Sequence, residues 1–256
     1  MSPPILFDMD GVLLVGPTTH PGVYRAATHD ALAELGVDEL PPATADVLEG
    51  LRYDPAMAAA CAEVAVDVDA WWAARERHAS RRANARVRSG DRAVFPDARR
   101  VLGDLYQSHR LGLVSNNREA TVRFVADYCF PDTFDVVVGR RPTRDDYDRR
   151  KPDPTFINRA LGQLDRTGDS DDRTGDSDDR TGDSDPPEEN GSDRAVTGIY
   201  VGDRESDVIA ARRAGLEPIL IERSYTSFDP VDADATPAAR IDSLGALPAA
   251  VAEVLT

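Results

Sequence analysis

Ile5-Leu6-Phe7-Asp8-Met9-Asp10-Gly11-Val12-Leu13-Leu14 is the stretch on which the fold turns. Ile5 to Phe7 form a continuous apolar run, which suits a strand buried on both faces of a parallel sheet better than a strand with one wet face. Asp8 and Asp10 stand two apart where that run stops, and Gly11 then permits a tight or left-handed backbone. Two carboxylates therefore leave the carboxyl end of a buried strand together, at the edge where open α/β sheets bind ligands. Crowded carboxylates repel unless a cation or a shared proton offsets them. Oxygen ligands of this kind favour Mg²⁺, with phosphate oxygens completing its shell. Asp-x-Asp-Gly by itself is also an ordinary strand end running into a solvated turn.

Composition bounds what surrounds this run. A chain of 256 residues can bury one large core, or a core and a smaller companion. Its net charge of −16 argues against general affinity for nucleic acid or anionic membranes. Among 30 basic residues only Lys151 is a lysine. Arg in place of Lys, with abundant Asp, suits a halophilic source whose molar salt shortens electrostatic repulsion to about 3 Å. Cys61 and Cys129 make neither a disulfide framework nor a metal-ligand pattern, so a reduced cytoplasm is expected. No apolar run nears the roughly 18 residues of a membrane span, and no leader pattern is visible at the N-terminus.

After Leu14 the pattern turns helical, with helices expected at 24–35, 43–51, 55–66 and 68–88. An all-helical block inserted between the first two strands reads as a lid-like domain over 17–93, with Leu51, Trp71 and Trp72 in its core. Arg75, Arg77, Arg81, Arg82, Arg86, Arg88 and Arg92 make a basic run that we read as a solvated face paired with neighbouring carboxylates. The α/β alternation then resumes. Helix 97–106 leads to strand 111–114 and Ser115-Asn116-Asn117, where a hydroxyl and backbone amides can hold a phosphate oxygen or simply cap the next helix, 119–128. Strand 136–138 follows. Lys151 precedes a helix at 155–164, and its compact charge suits a narrow site that a planar guanidinium would not fit.

Residues 165–185 are three tandem copies of Asp-Arg-Thr-Gly-Asp-Ser-Asp, continued by a polar tract to Arg194. No copy holds an apolar residue, so 165–194 is expected to be a disordered acidic insertion. Strand 198–201 runs into Gly202-Asp203-Arg204-Glu205-Ser206-Asp207 and a helix at 208–214, which adds two carboxylates at a second strand end. Strand 218–222 and a terminal helix at 244–255 complete the chain.

Taken in order, Asp8-Met9-Asp10-Gly11, Ser115, Lys151, and Gly202-Asp203 with Asp207 resemble the four motifs of the haloacid dehalogenase-like hydrolases. The likeness covers most of the chain and implies a doubly wound parallel sheet, a Rossmann-like core of 1–16 and 94–256, with the helical insert as a cap. That cap is similar to those of phosphoglycolate phosphatase-like and β-phosphoglucomutase-like members. The resemblance implies that Asp8 is the nucleophile and Asp10 the general acid and base. It further implies that Ser115 and the Asn116 amide hold the phosphoryl group, and that Lys151 orients it together with Asp8. Mg²⁺ would be bound by Asp8, Asp203, the Asp10 main-chain carbonyl and Asp207. Arg204 and the acidic insertion depart from the family pattern, Arg204 standing where a small or hydroxyl residue is common. Asp10 speaks against a dehalogenase, which has no leaving alkoxide to protonate. The expected activity is phosphatase action on a small phosphorylated metabolite by a cytoplasmic monomer or homodimer, without nucleic-acid or membrane partners. A phosphoglucomutase-type transferase and a non-catalytic binding protein on the same fold are the alternatives.

Overall fold

The short apolar run at the N-terminus becomes strand β1 (Ile5–Phe7), hydrogen-bonded in parallel to β2 (Leu111–Arg118) on one side and β4 (Ile199–Gly202) on the other. This computed structural model describes residues 3–16, 19–168, 198–226 and 235–256. The sheet is completed by β3 (Val136–Arg140), β5 (Glu217–Ile221) and β6 (Ala239–Ile241), in the order β3-β2-β1-β4-β5-β6 with every pair parallel. Such an order reverses direction between β1 and β4, the switch point at which doubly wound sheets open a crevice beyond their carboxyl ends. The doubly wound parallel sheet implied by the family resemblance is therefore the one observed.

Side chains alternate along β1, so its three residues serve two layers. Ile5 and Phe7 pack with Val101, Leu102 and Leu105 of α5 (Ala98–Tyr106), Val122 and Val125 of α6 (Glu119–Cys129), and Leu247 of α10 (Leu247–Val254). Leu6 faces the opposite layer, with Phe156, Ile157 and Ala160 of α8 (Thr155–Gly168) and Ala210 of α9 (Glu205–Arg213). Each Val, Leu, Ile or Phe among them contributes roughly 1.5–3 kcal/mol when fully buried. A strand only three residues long is thereby fixed from both sides.

Between β1 and α5 the chain forms α1 (Pro21–Glu34), α2 (Pro42–Leu48), α3 (Ala56–Glu63) and α4 (Val68–Arg88), with no strand among them. Pro21 occupies the first turn of α1, and the Asp67 side chain caps α4 by accepting from Ala70 N–H at 2.8 Å. Leu32, Leu48, Met57, Trp71 and Trp72 form a separate apolar cluster joined by Tyr147 of the short helix α7 (Arg144–Asp148). Leu51 is a correction: it is 52% exposed, because the chain has left α2 by Glu49 and carries Leu51 outward.

The basic run also needs correcting. Arg77 and Arg82 do pair with Glu34 and Asp30. Arg75, however, is wholly buried, where it donates to Thr28 Oγ1 at 3.1 Å and to Gly50 O. Its guanidinium lies 5.3–5.4 Å from the ring centroids of Tyr24, Trp71 and Trp72, an aromatic enclosure that partly replaces lost hydration. Next to it Glu76 makes a buried ion pair with Arg140 of β3, tying α4 to the sheet.

Other differences are local. Strand β2 continues through Ser115-Asn116-Asn117 to Arg118, with a register shift between Val114 and Arg118. Helix α8 runs to Gly168 rather than stopping at Leu164, so the first four residues of the repeat tract are helical. The rest of the expected acidic insertion, 169–194, lies outside the described residues. Helix α7 and strand β6 were not anticipated, being only five and three residues long.

Candidate active site

Three carboxylates meet at the switch point, each placed by the strand that precedes it. Asp8 N–H donates to Val201 O at 2.9 Å, extending the β1–β4 ladder by one bond and setting its side chain over the gap between these strands. Asp203 follows β4 directly. It can approach only because Gly11 lacks a side chain: a Cβ there would lie 2.1 Å from Asp203 Oδ2, and Gly11 also has φ +84°. Asp207, in the first turn of α9, folds back to accept from Arg204 N–H at 3.1 Å, and a Cβ on Gly202 would lie 2.3 Å from its own Cβ. One oxygen from each of Asp8, Asp203 and Asp207 lies within 4.8 Å of the others, and all three residues are buried.

A single ammonium sits among them. Lys151 Nζ is 2.6 Å from Asp207 Oδ1 and 3.0 Å from Asp8 Oδ1, and it donates to Tyr200 Oη at 2.7 Å. Tyr200 passes the chain on by donating to Val114 O at 2.7 Å. Burial works to lower the Lys151 ammonium, but the charges of Asp207 and Asp8 outweigh it and hold its pKa well above the usual lysine value. The carboxylates respond in the opposite sense. Burial first, then the charges of Asp8 and Asp207, push Asp203 up to about 8. Burial likewise raises Asp207 despite Lys151 beside it. Three carboxylates share one ammonium.

This donor set fits a divalent cation. Among the described residues, no hydrogen bond reaches Asp8 Oδ1 or either carboxylate oxygen of Asp203. Among the described residues, Lys151 Nζ lies 3.0 Å from Asp8 Oδ1 and Arg204 Nε 3.6 Å from Asp203 Oδ1. Buried carboxylate oxygens left without hydrogen bonds are costly unless an ion takes them up. All-oxygen ligation suits a hard cation.

Asp10 stands apart from that cluster. Its carboxylate accepts from Arg92 Nη2 at 2.6 Å through Oδ1 and from Asn117 Nδ2 at 2.8 Å through Oδ2. Ser115 is buried on β2 with its Oγ accepting from Asn117 N–H at 3.3 Å. Asn116 clamps the Lys151 backbone, accepting from its N–H at 2.9 Å and donating to its carbonyl at 3.3 Å. All these residues border one cavity of about 670 Å³, in the size range of small-molecule sites. Its far wall carries Leu51, Arg52 and Arg86 from the helical insert.

Every site residue expected from the sequence is therefore at or beside this cavity: Asp8, Asp10, Ser115, Asn116 and Lys151 line it with Asp207, while Asp203 lies in the buried cluster behind. Three partners were missed. Arg92 was read as part of a solvated face, yet it binds Asp10; Asn117 was seen only within a phosphate-holding or helix-capping stretch; Tyr200 was counted as plain strand. A hydroxyl three residues before Asp203 in an otherwise apolar strand was the available signal for Tyr200.

Known proteins agree with this architecture. CbbY from Rhodobacter sphaeroides, solved in complex with phosphate, superposes with a TM-score of 0.57 at 21% identity, covering 96% of each chain. A second CbbY crystal, a mutant in complex with xylulose-(1,5)bisphosphate, gives 0.56 at 21% identity over 95% of each chain. A HAD phosphatase from Thermococcus onnurineus gives 0.56 at 18% identity over 98% of each chain. Among curated proteins none matches the sequence. At these identities the structural likeness speaks for the fold. The family model "haloacid dehalogenase-like hydrolase" matches residues 5–215, across all four motifs, and the chain belongs to that family of hydrolases.

Proposed function

We propose that the chain is a Mg²⁺-dependent phosphatase that hydrolyses a small phosphorylated metabolite through an aspartyl-phosphate on Asp8. The observation that carries this reading is the meeting of Asp8, Lys151, Asp203 and Asp207 at the β1/β4 switch point, with Asp10 bordering the same cavity. In the first step an Asp8 carboxylate oxygen bonds to phosphorus while the bond from phosphorus to the leaving oxygen breaks, and Asp10 delivers its proton to that oxygen. In the second, Asp10 takes a proton from water as the water oxygen attacks phosphorus and the Asp8–phosphorus bond breaks. Asp8, Asp203, the Asp10 main-chain carbonyl and Asp207 would hold Mg²⁺, which when bound would supply positive charge that lets a carboxylate approach a phosphate dianion. Lys151 holds Asp8 in line, and Ser115 with the Asn116 amide receives the phosphoryl oxygens. The helical insert serves as the cap, and its Arg52 and Arg86 give the far wall a charge suited to an anionic substrate.

The test is a panel of phosphorylated metabolites, including phosphoglycolate, sugar monophosphates and sugar bisphosphates, assayed with Mg²⁺ in molar salt. Both free phosphate and isomerised product are measured. Phosphate release from at least one compound, abolished by chelation, is the expected result. Isomerised product without phosphate release would instead make the chain a phosphotransferase, and no turnover of any compound would remove the catalytic reading.

A further inference from the structure

The two segments that connect the helical insert to the sheet run side by side. Val15 N–H donates to Ala93 O at 2.9 Å, Phe95 N–H donates to Leu13 O at 3.0 Å, and Leu14 bridges Val94 in antiparallel fashion. Arg92 lies on the returning segment and reaches across to the outgoing one, donating through Nε to Val15 O and through Nη2 to Gly16 O, both at 3.3 Å. The same Nη2 ends 2.6 Å from Asp10 Oδ1, and the Arg92 side chain is only 11% exposed. Asp10 Oδ2 is held by Asn117 Nδ2, whose own position is shared with Thr19 Oγ1 at 3.4 Å. Both oxygens of one carboxylate are thus pinned, one from the connecting segments and one from the end of β2.

We infer that Arg92 is a positioning residue that couples the connecting segments of the insert to the orientation of Asp10, an assignment that rests on the phosphatase reading of the site. A guanidinium suits the task because its planar fork donates in several fixed directions at once, which a lysine ammonium on a flexible stem does not reproduce. Any movement of the insert that shifts Val15 or Gly16 must shift Arg92, and with it the carboxylate that exchanges protons with the leaving oxygen and with water. An acid or base displaced by about 1 Å loses much of the roughly 10²–10⁴-fold that such catalysis contributes.

Arg92→Ala and Arg92→Lys are compared with wild type on the best alkyl phosphate of the panel and on p-nitrophenyl phosphate. The nitrophenolate leaves without protonation, so formation of the aspartyl-phosphate, followed as a pre-steady-state burst, does not need Asp10. Arg92→Ala is expected to lower kcat on the alkyl ester by about 10–100-fold with KM within threefold, and to leave the burst rate within threefold; Arg92→Lys recovers only part of the loss. A loss of the p-nitrophenyl phosphate burst rate equal to the loss of kcat on the alkyl ester, or no loss in either, would overturn the assignment. A second arm does not use turnover: amide hydrogen exchange at Val15 should quicken by at least tenfold both in Arg92→Ala and in Asp10→Ala, since each removes one end of the same contact. Unchanged Val15 exchange in Asp10→Ala would refute the coupling even if the wild type hydrolysed nothing on the panel, an outcome that would separately refute the phosphatase reading.

Discussion

Replacing Lys151 by Met removes the one ammonium from a site of three buried carboxylates. Its Nζ is 2.6 Å from Asp207, 3.0 Å from Asp8 and 2.7 Å from Tyr200 Oη, and the lysine is buried. Breaking a buried ion pair by deleting one partner costs about 3–5 kcal/mol, because the charge left behind keeps its desolvation penalty. Here two carboxylates are left, so Lys151→Met should lose at least that much in urea unfolding at neutral pH in the presence of a chelator. Added Mg²⁺ should recover part of the loss in the variant. Lys151→Arg separates charge from shape. It keeps the positive charge, so stability should fall by less, but the wider fork cannot occupy the place of Nζ without displacing Asp8 or Asp207 by about 1 Å, and turnover should drop on the order of 100-fold. Every other basic residue of the chain is already Arg, so a deficit at this one position belongs to the site. Wild-type kinetics in Lys151→Arg, or wild-type stability in Lys151→Met without metal, would refute the role given to this lysine.

Gly11→Ala should unfold the site or the protein, since its Cβ would overlap Asp203 Oδ2 and its φ of +84° disfavours any L side chain; a variant with normal thermal stability and activity would contradict this. The pH dependence of the metal-free protein follows from Asp203, whose folded pKa of about 8 exceeds the ordinary carboxylate value of about 4. A raised pKa means that the folded state holds the proton more tightly. The stabilisation from Asp203 is therefore complete below about pH 4, is lost progressively as pH rises to about 8, and changes no further above that. Metal binding should in turn release protons and weaken on acidification below pH 8, which calorimetry in two buffers of different ionisation heat would detect. Deleting residues 172–185, the second and third copies of the repeat, should leave kcat within twofold, because these copies contain no apolar residue to dock on the site.

How far the sequence led can be judged at particular residues. Ile5, Leu6 and Phe7 announced a strand buried on both faces because burial on two faces removes the polar alternation that marks a half-wet strand, and the structure divides them between two layers. Asp8, Lys151, Asp203 and Asp207 were legible because each stands at a break in an apolar or helical pattern, where a charged residue has to be explained. Arg92 was not, since a basic residue inside a basic run carries no contrast; its partners Asp10, Val15 and Gly16 are more than 75 positions away and only the folded chain brings them together. Arg75 was misread for the same reason. Its exclusion from water depends on Tyr24, Trp71 and Trp72 closing around it, a tertiary event with no one-dimensional trace. Strand β6 is held in the sheet by pairing with β5, and three residues are too few to show a period.

In the proposed reaction Asp8 carries the phosphoryl group between substrate and water. Wild type and Asp8→Asn are mixed with the best ³²P-labelled substrate of the panel and Mg²⁺, quenched in acid within milliseconds and digested, and the labelled peptide is sequenced by mass spectrometry. Acid-stable, hydroxylamine-labile label is expected on Asp8 in the wild type, with neither label nor phosphate release in a folded Asp8→Asn protein. Phosphate release by Asp8→Asn, or label on any residue other than Asp8, would contradict that role of Asp8.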